Sequence, residues 1–205
     1  MTDVLPMNDL LELDPEARAL LFTDARTANN FSDEPVSEAQ LRAIYELTKF
    51  APTSANTQPL RILFVGKGPA RERLLAQMFE GNRAKTASAP VVAVLAADVD
   101  FHEHIPTIFP IRPEMKDVFD ADEDRRIEHA RYNAILQAGY FILGVRAAGL
   151  AAGPMIGFDP EGINKEFFSD NAWKSILVVN IGHPGENAWF DRLPRLDYDQ
   201  VVKHV

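Results

Sequence analysis

The stretch from Ala89 to Ala97 constrains the fold of this chain more than any other. It carries no charge, yet it is only about half of the roughly 20 apolar residues that a membrane-spanning helix requires. Led by Pro90 and rich in valine, Pro90 to Ala97 reads as a strand buried on both faces, and such a strand belongs at the centre of a sheet. The rest of the chain must therefore supply neighbouring strands and cover for each face.

Leu60 to Val65 and Ser175 to Ile181 read as further strands. A short helix is expected from Pro15 to about Thr23, with Asp14 as its cap and Pro15 at its first position. Ser37-Glu38-Ala39-Gln40 is a capping box, and Leu41, Ile44, Tyr45, Leu47 and Phe50 follow near helical period as a buried face. That helix should end at Ala51, because Pro52 disfavours helical geometry before it. Ala70 to Phe79 reads as an amphipathic helix, Glu123 to Leu150 as one long helix, and Asp159-Pro160 opens another short one. In the long helix, Gly139 and Gly144 permit close packing, Gly149 suits the C-terminal cap, and Tyr132, Tyr140 and Phe141 read as core. The acidic run Asp117, Asp120, Asp122, Glu123 and Asp124 suits its positive N-terminus. Phe101 to Asp122 has three prolines and no steady period, and 101–122 is treated as a candidate lid. Without repeats, linkers or a regular βαβ rhythm, residues 1–205 read as one α+β domain rather than a doubly wound sheet.

Lys and Arg total 21 against 30 Asp and Glu, and the net charge of −9 has the wrong sign for a general binder of nucleic acid or anionic membrane. Any anion must bind in a local pocket. The absence of cysteine excludes disulfides, thiolate nucleophiles and Cys-ligated metals. Met1 to Asp14 is acidic and lacks a basic n-region, so no secretory signal and a cytoplasmic location are expected. His102-Glu103-His104 offers two histidines but no firm third ligand, and no metal is expected.

Three polar segments stand out. Ala51-Pro52-Thr53-Ser54-Ala55-Asn56-Thr57-Gln58-Pro59 places hydroxyls and amides between a helix and a strand, which suits hydrogen bonding to a heteroaromatic ring or a polyol and equally suits a turn. Asp24-Ala25-Arg26-Thr27-Ala28-Asn29-Asn30-Phe31 sets a cation, a hydroxyl and amides after a helix, as phosphate binding requires. Arg192-Leu193-Pro194-Arg195 adds two guanidinium groups, which a solvated surface would also accommodate.

In their order and spacing these segments resemble the flavin-dependent nitroreductase superfamily. The resemblance runs through Arg26-Thr27 to Phe31 and Pro35-Val36, then Ala51 to Pro59, Gly153-Pro154-Met155-Ile156-Gly157-Phe158, and Arg192-Leu193-Pro194. Within it, residues 23–27, 52–56, 153–159 and 192–196 are similar to the malonic semialdehyde reductase branch of pyrimidine degradation.

The resemblance implies a nitroreductase-like α+β fold with a central, mostly antiparallel sheet flanked by helices, assembled as a domain-swapped homodimer with two FMN sites at its interface. Arg26, Thr27, Asn29 and Arg192 would hold the phosphate and ribityl end. Pro52, Thr53, Ser54 and Asn56 would line the ring and ribityl chain of the partner's flavin, and Asn82 and Lys85 would face the pyrimidine edge. Met155, Ile156 and Gly157 would pass N5. No side chain is then assigned as catalytic, because the flavin carries the hydride. Three departures stand out: Asn29 replaces a basic residue of many relatives, which implies either lower flavin affinity or reliance of the phosphate on Arg195, Ile156 replaces an acidic one, and Leu60 replaces tryptophan. The implied activity is ping-pong reduction of a small aldehyde, malonic semialdehyde, to 3-hydroxypropanoate by NADPH or NADH, with Arg112 or Lys116 clamping the carboxylate. A broader nitroaromatic, quinone or enone reductase and a non-catalytic flavin-binding module are the alternatives.

Overall fold

The structure, a computed structural model, describes residues 10–205. The first nine positions of the Met1 to Asp14 stretch lie outside the described residues. Strands β1 (Leu60–Gly66), β2 (Val91–Asp98), β3 (Ala151–Met155) and β4 (Trp173–Gly182) form one sheet in the order β1-β2-β4-β3, with every neighbouring pair antiparallel. Helices cover both faces, so the expected α+β architecture holds.

Every residue of β2 is buried, and its side chains alternate between two cores. Val92, Val94 and Ala96 pack with Leu74, Met78, Phe158 and Ile163, beneath helices α3 (Pro69–Gln77) and α8 (Pro160–Phe167). Val91, Ala93 and Leu95 pack with Ile44, Ala138, Phe141 and Val145, beneath α2 (Glu38–Thr48) and α7 (Glu123–Ala147).

Helix α7 starts where its acidic run is placed, with the Asp122 carboxylate accepting the Arg125 N–H at 3.0 Å. It ends at Gly149, whose φ of +74° permits the reversal into β3. A Cβ at Gly144 would lie 2.2 Å from Thr48 Cγ2, so this glycine lets α2 and α7 touch. Gly139 instead faces open space.

The Pro15 helix spans the expected residues, as one α-helical turn, α1 (Pro15–Arg18), capped by Asp14 and continued by a π-helical turn over Ala19–Thr23. Other expectations are corrected. The Ser37 and Gln40 capping box is present, but α2 stops at Thr48, and Ala51 N–H closes a turn onto the Thr48 carbonyl at 3.0 Å before Pro52 is reached. Tyr45, Leu47 and Phe50 point outward rather than into the core, as do Tyr132 and Tyr140 of α7, because only one stripe of each helix meets the sheet. Strand β3 contains Gly153 and Pro154 and no β-branched residue; proline is tolerated there because β3 is an edge strand.

The stretch 101–122 is not irregular throughout. A 3₁₀ turn (Phe101–His104), α5 (Ile105–Ile108) and α6 (Met115–Asp120) contribute Phe101, Ile105 and Phe119 to a separate small core with Ala130 and Ala134 of α7. Three elements this short cannot display a period.

Helix α4 (Glu80–Ser88) was also not anticipated, since GNRAKTAS has no apolar stripe. Its end is held by Arg71, a fully buried guanidinium that donates to the carbonyls of Thr86 (2.8 Å), Ala89 (2.7 Å) and Val65 (2.6 Å). Burial pulls the Arg71 pKa down to about 10, so the group stays charged at neutral pH. Replacing it by Arg71→Met strands these carbonyls in the interior, and urea denaturation should show a loss on the order of 3 kcal/mol.

Candidate cofactor site

Edge strand β3 connects two clusters of the residues singled out in the sequence. At its N-terminal end lies a cleft of about 220 Å³ lined by Arg26, Thr27, Asn29, Arg146, Arg192 and Arg195, among others. Arg26 and Arg146 also border a pocket shared with Leu150 and Ala151, which places the cleft beside the start of β3. The 26–29 loop is fixed by Asn29 N–H donating to Ala188 C=O at 2.9 Å, and Arg192 reaches it by donating to Thr23 C=O at 2.6 Å. Arg195 donates to the Leu193 and Pro194 carbonyls. Among the described residues none of these four guanidinium groups is ion-paired with a carboxylate, in a chain with nine more acidic than basic side chains. One carboxylate, Asp191, lines the cleft beside the four arginines, and a local cleft with this net positive charge is an anion site.

At the other end, Met155, Ile156 and Gly157 leave β3 and meet the α3–α4 junction. The Gly157 carbonyl accepts from Asn82 Nδ2 at 2.9 Å and from Phe79 N–H at 3.1 Å, and Asp159 N–H donates to Gln77 C=O at 2.8 Å. A Cβ at Gly157 would stand 2.4 Å from Asn82 Nδ2, so the close approach of this amide depends on glycine. Lys85 lies three residues after Asn82 on α4, on the same face, and has no ion pair among the described residues. Met155 is buried, whereas Ile156 is 78% exposed. Five strand residues, roughly 17 Å, separate this end from the cationic cleft.

Pro52, Thr53, Ser54 and Asn56 lie elsewhere. Their loop precedes β1 at the opposite edge of the sheet, three strand spacings or about 14 Å from β3. Ala55, Asn56 and Gln58 adopt φ of 51°, 53° and 43°, a conformation that non-glycine residues resist. Three polar residues of α7, spaced by four, hold it. Ser54 N–H donates to Asn133 Oδ1 (2.8 Å), the Thr57 hydroxyl meets His129 Nε2 (3.1 Å), and Leu60 N–H donates to Gln137 Oε1 (3.0 Å). Asn56 Nδ2 donates to Ile108 C=O at 2.7 Å, joining the loop to the 101–122 segment. Neither this ladder nor Arg146 was identified from sequence. Polar residues recurring every four positions along an otherwise apolar helical face were the available signal for the ladder; Arg146 looks like an ordinary charge in a last helical turn.

In the 101–122 segment the Lys116 ammonium bridges Asp120 (2.6 Å) and Glu103 (3.1 Å), which raises its pKa, while Asp120 is held below the usual carboxylate range by Lys116 first and by His102, 2.8 Å away, second. His102, Glu103 and Asp120 converge, but the lysine supplies the cation between the carboxylates. Arg112 is exposed and, among the described residues, paired only with Glu114 at 3.1 Å.

Residues 23–183 match the nitroreductase family. The chain belongs to that family. Two Streptomyces coelicolor proteins, each named "Putative NADH dehydrogenase/NAD(P)H nitroreductase", are 59% and 58% identical to this nitroreductase, over 91% and 95% of its chain and 93% and 99% of theirs. Among solved structures, CLA-ER, an enone reductase of gut-bacterial fatty acid saturation, superposes with TM-score 0.80 at 16% identity, covering 94% of this chain and 99% of its own. An Exiguobacterium sibiricum structure, titled a "putative nitroreductase in complex with FMN", superposes with TM-score 0.75 at 18% identity, covering 88% and 93%. These structures establish the nitroreductase fold. Among the described residues no helix is long and apolar enough to cross a membrane.

The ladder titrates. Burial first, and Arg125 second, hold the His129 pKa below its usual value, so the folded protein takes up this proton less readily than the unfolded chain. The stability contributed by the neutral imidazole is present above about pH 6.5 and is lost as pH falls below it. Between about pH 7.5 and 5.5 the Tm of the wild type should therefore fall more steeply than that of His129→Gln.

Proposed function

We propose that this nitroreductase is an FMN-dependent oxidoreductase that draws on NADPH or NADH and reduces malonic semialdehyde to 3-hydroxypropanoate. The observation that carries the cofactor reading is the pairing of a net cationic cleft, four arginines against Asp191, at one end of β3 with an amide and an ammonium without an ion pair among the described residues at the other. That arrangement fits an elongated group with an anionic head and a polar heterocycle, and a structural neighbour holds FMN. Bound there, FMN supplies a two-electron carrier between a reduced nicotinamide and an acceptor.

Arg26, Thr27, Asn29 and Arg192, with Arg195, bind the phosphate and ribityl end. Asn82 and Lys85 face the pyrimidine edge, where the ammonium stabilises negative charge. Met155 and Gly157 position the opposite edge, and the exposed Ile156 offers an apolar surface that excludes water from a stacked substrate. Pro52, Thr53, Ser54 and Asn56, held at the far edge of the sheet, serve the site of a second copy, so we propose a homodimer. Two further features support it: a large apolar cleft lined by Ile127, Ile135, Ile142, Ile156 and Phe158 lies open, and Phe190, Leu193 and Leu196 of the C-terminal segment are exposed.

For the substrate carboxylate, the ends of the 101–122 lid are anchored by Phe101 and Phe119, while residues 110–114 are exposed and carry Arg112. Recruiting Lys116 would break two ion pairs. Arg112 is the stronger clamp. Arg112→Ala should raise KM for malonic semialdehyde about tenfold with kcat little changed, and Lys116→Met should act less. An unchanged KM clears Arg112.

A second reading, a broader reductase of nitroaromatics, quinones or enones, is favoured by the names of the relatives and by the enone reductase neighbour. Protein loaded with FMN and desalted should retain a flavin absorbance band that bleaches anaerobically with NADPH and returns with malonic semialdehyde. Return only with quinones or nitroaromatics selects the broader reductase, and a band that desalting removes overturns the flavin reading.

A further inference from the structure

Arg146 sits in the last turn of α7, where a cation opposes the negative helix end, and its Nη1 donates to Leu21 C=O at 2.8 Å. Those two roles use one of five guanidinium N–H groups and leave the charge without a carboxylate among the described residues. The same side chain lines both pockets at the start of β3, in each of them together with Arg26. It is half-buried, and burial depresses its pKa, so its charge is partly withdrawn from water while facing the cleft of Arg26, Arg192 and Arg195. Four guanidinium groups and one carboxylate, Asp191, line these 220 Å³; the net repulsion among the cations is reversed by a bound dianion. Arg26 and Arg192 come from segments at opposite ends of the chain, whereas Arg146 is fixed on the most extensive helix of the structure.

We propose that Arg146 is a binding residue for the phosphomonoester of the cofactor, anchoring the anion from α7 while Arg26, Arg192 and Arg195 close on it from the loops. The inference rests on the flavin reading above and adds to it a residue outside the segments that carry the family resemblance. It also implies selectivity: a phosphorylated flavin is favoured over the same flavin without phosphate, and α7 carries part of that difference.

The test is a fluorescence titration of wild type, Arg146→Gln and Arg146→Lys with FMN and, separately, with riboflavin. Glutamine keeps one N–H for the Leu21 carbonyl and removes the charge, which separates the anion contact from the structural one. The expected result is a loss of about tenfold or more in FMN affinity for Arg146→Gln, riboflavin affinity within twofold of wild type, and partial recovery in Arg146→Lys. Unchanged FMN affinity overturns the proposal. So does an equal loss for both flavins, which would mark Arg146 as a structural residue acting through Leu21. If wild type binds FMN no more tightly than riboflavin, the phosphate role fails while the flavin reading stands; if wild type binds neither, the flavin reading falls and takes this proposal with it.

Discussion

The rest of the molecule is organised around a strand that has no polar face. With both sides of β2 buried, a single layer of helices cannot stabilise the sheet, and the chain must pack α2 and α7 on one side and α3 and α8 on the other. Each coat then carries part of the candidate site. Helix α7 presents His129, Asn133 and Gln137 to the loop before β1 and Arg146 to the cleft beside β3, while α4 presents Asn82 to the chain leaving β3. Burial of one apolar strand thereby sets where the polar groups stand.

Polar contacts in the interior do the finer positioning. Arg71 satisfies three main-chain carbonyls from three places, the end of β1, the end of α4 and the approach to β2, and a neutral side chain could not serve all three. The α7 ladder plays the same part for a loop with three left-handed residues, each of which costs about 1–3 kcal/mol unless its surroundings determine it. Asn133 and Thr57 are almost fully buried, so in this loop the hydrogen bonds that fix the backbone are shielded from competition by water.

This division explains what could be read from the sequence. β2, α7 and the capped start of α2 were legible because apolar period, capping box and Gly149 are local signals. Helix α4 and strand β3 were not, because GNRAKTAS and AAGPM lack any periodic apolar pattern and are placed by Arg71 and by pairing with β4. The outward faces of α2 and α7 show the converse error: Tyr45, Phe50 and Tyr132 have helical spacing, but period alone does not say which stripe meets the sheet. In the candidate site, the segments with unusual composition were found, and the structure brings Arg26, Thr27, Asn29, Arg192 and Arg195 together and joins Asn82 to Gly157. Arg146 and the ladder were missed because each looks ordinary beside its neighbours in the chain and becomes distinctive only across the fold.

The sheet order also bears on the proposed homodimer. A flavin bound along β3, as proposed, would meet cations and amides from its own chain, but the hydroxyl and amide loop at residues 52–58 is held on the far edge at the start of β1, with β4 and β2 between. No rearrangement of that loop alone crosses three strands, since Ser54, Thr57 and Leu60 are tied to α7, and α7 is locked against α2 where Gly144 meets Thr48. In the proposed homodimer a second copy would meet the geometric requirement without disturbing either anchor. The same association would cover the open apolar cleft between α7 and the sheet, whose exposure to water is unfavourable in proportion to its area. Completion of the proposed site and burial of that face would then be one event, and cofactor binding would strengthen the dimer by the same free energy with which the dimer would strengthen cofactor binding.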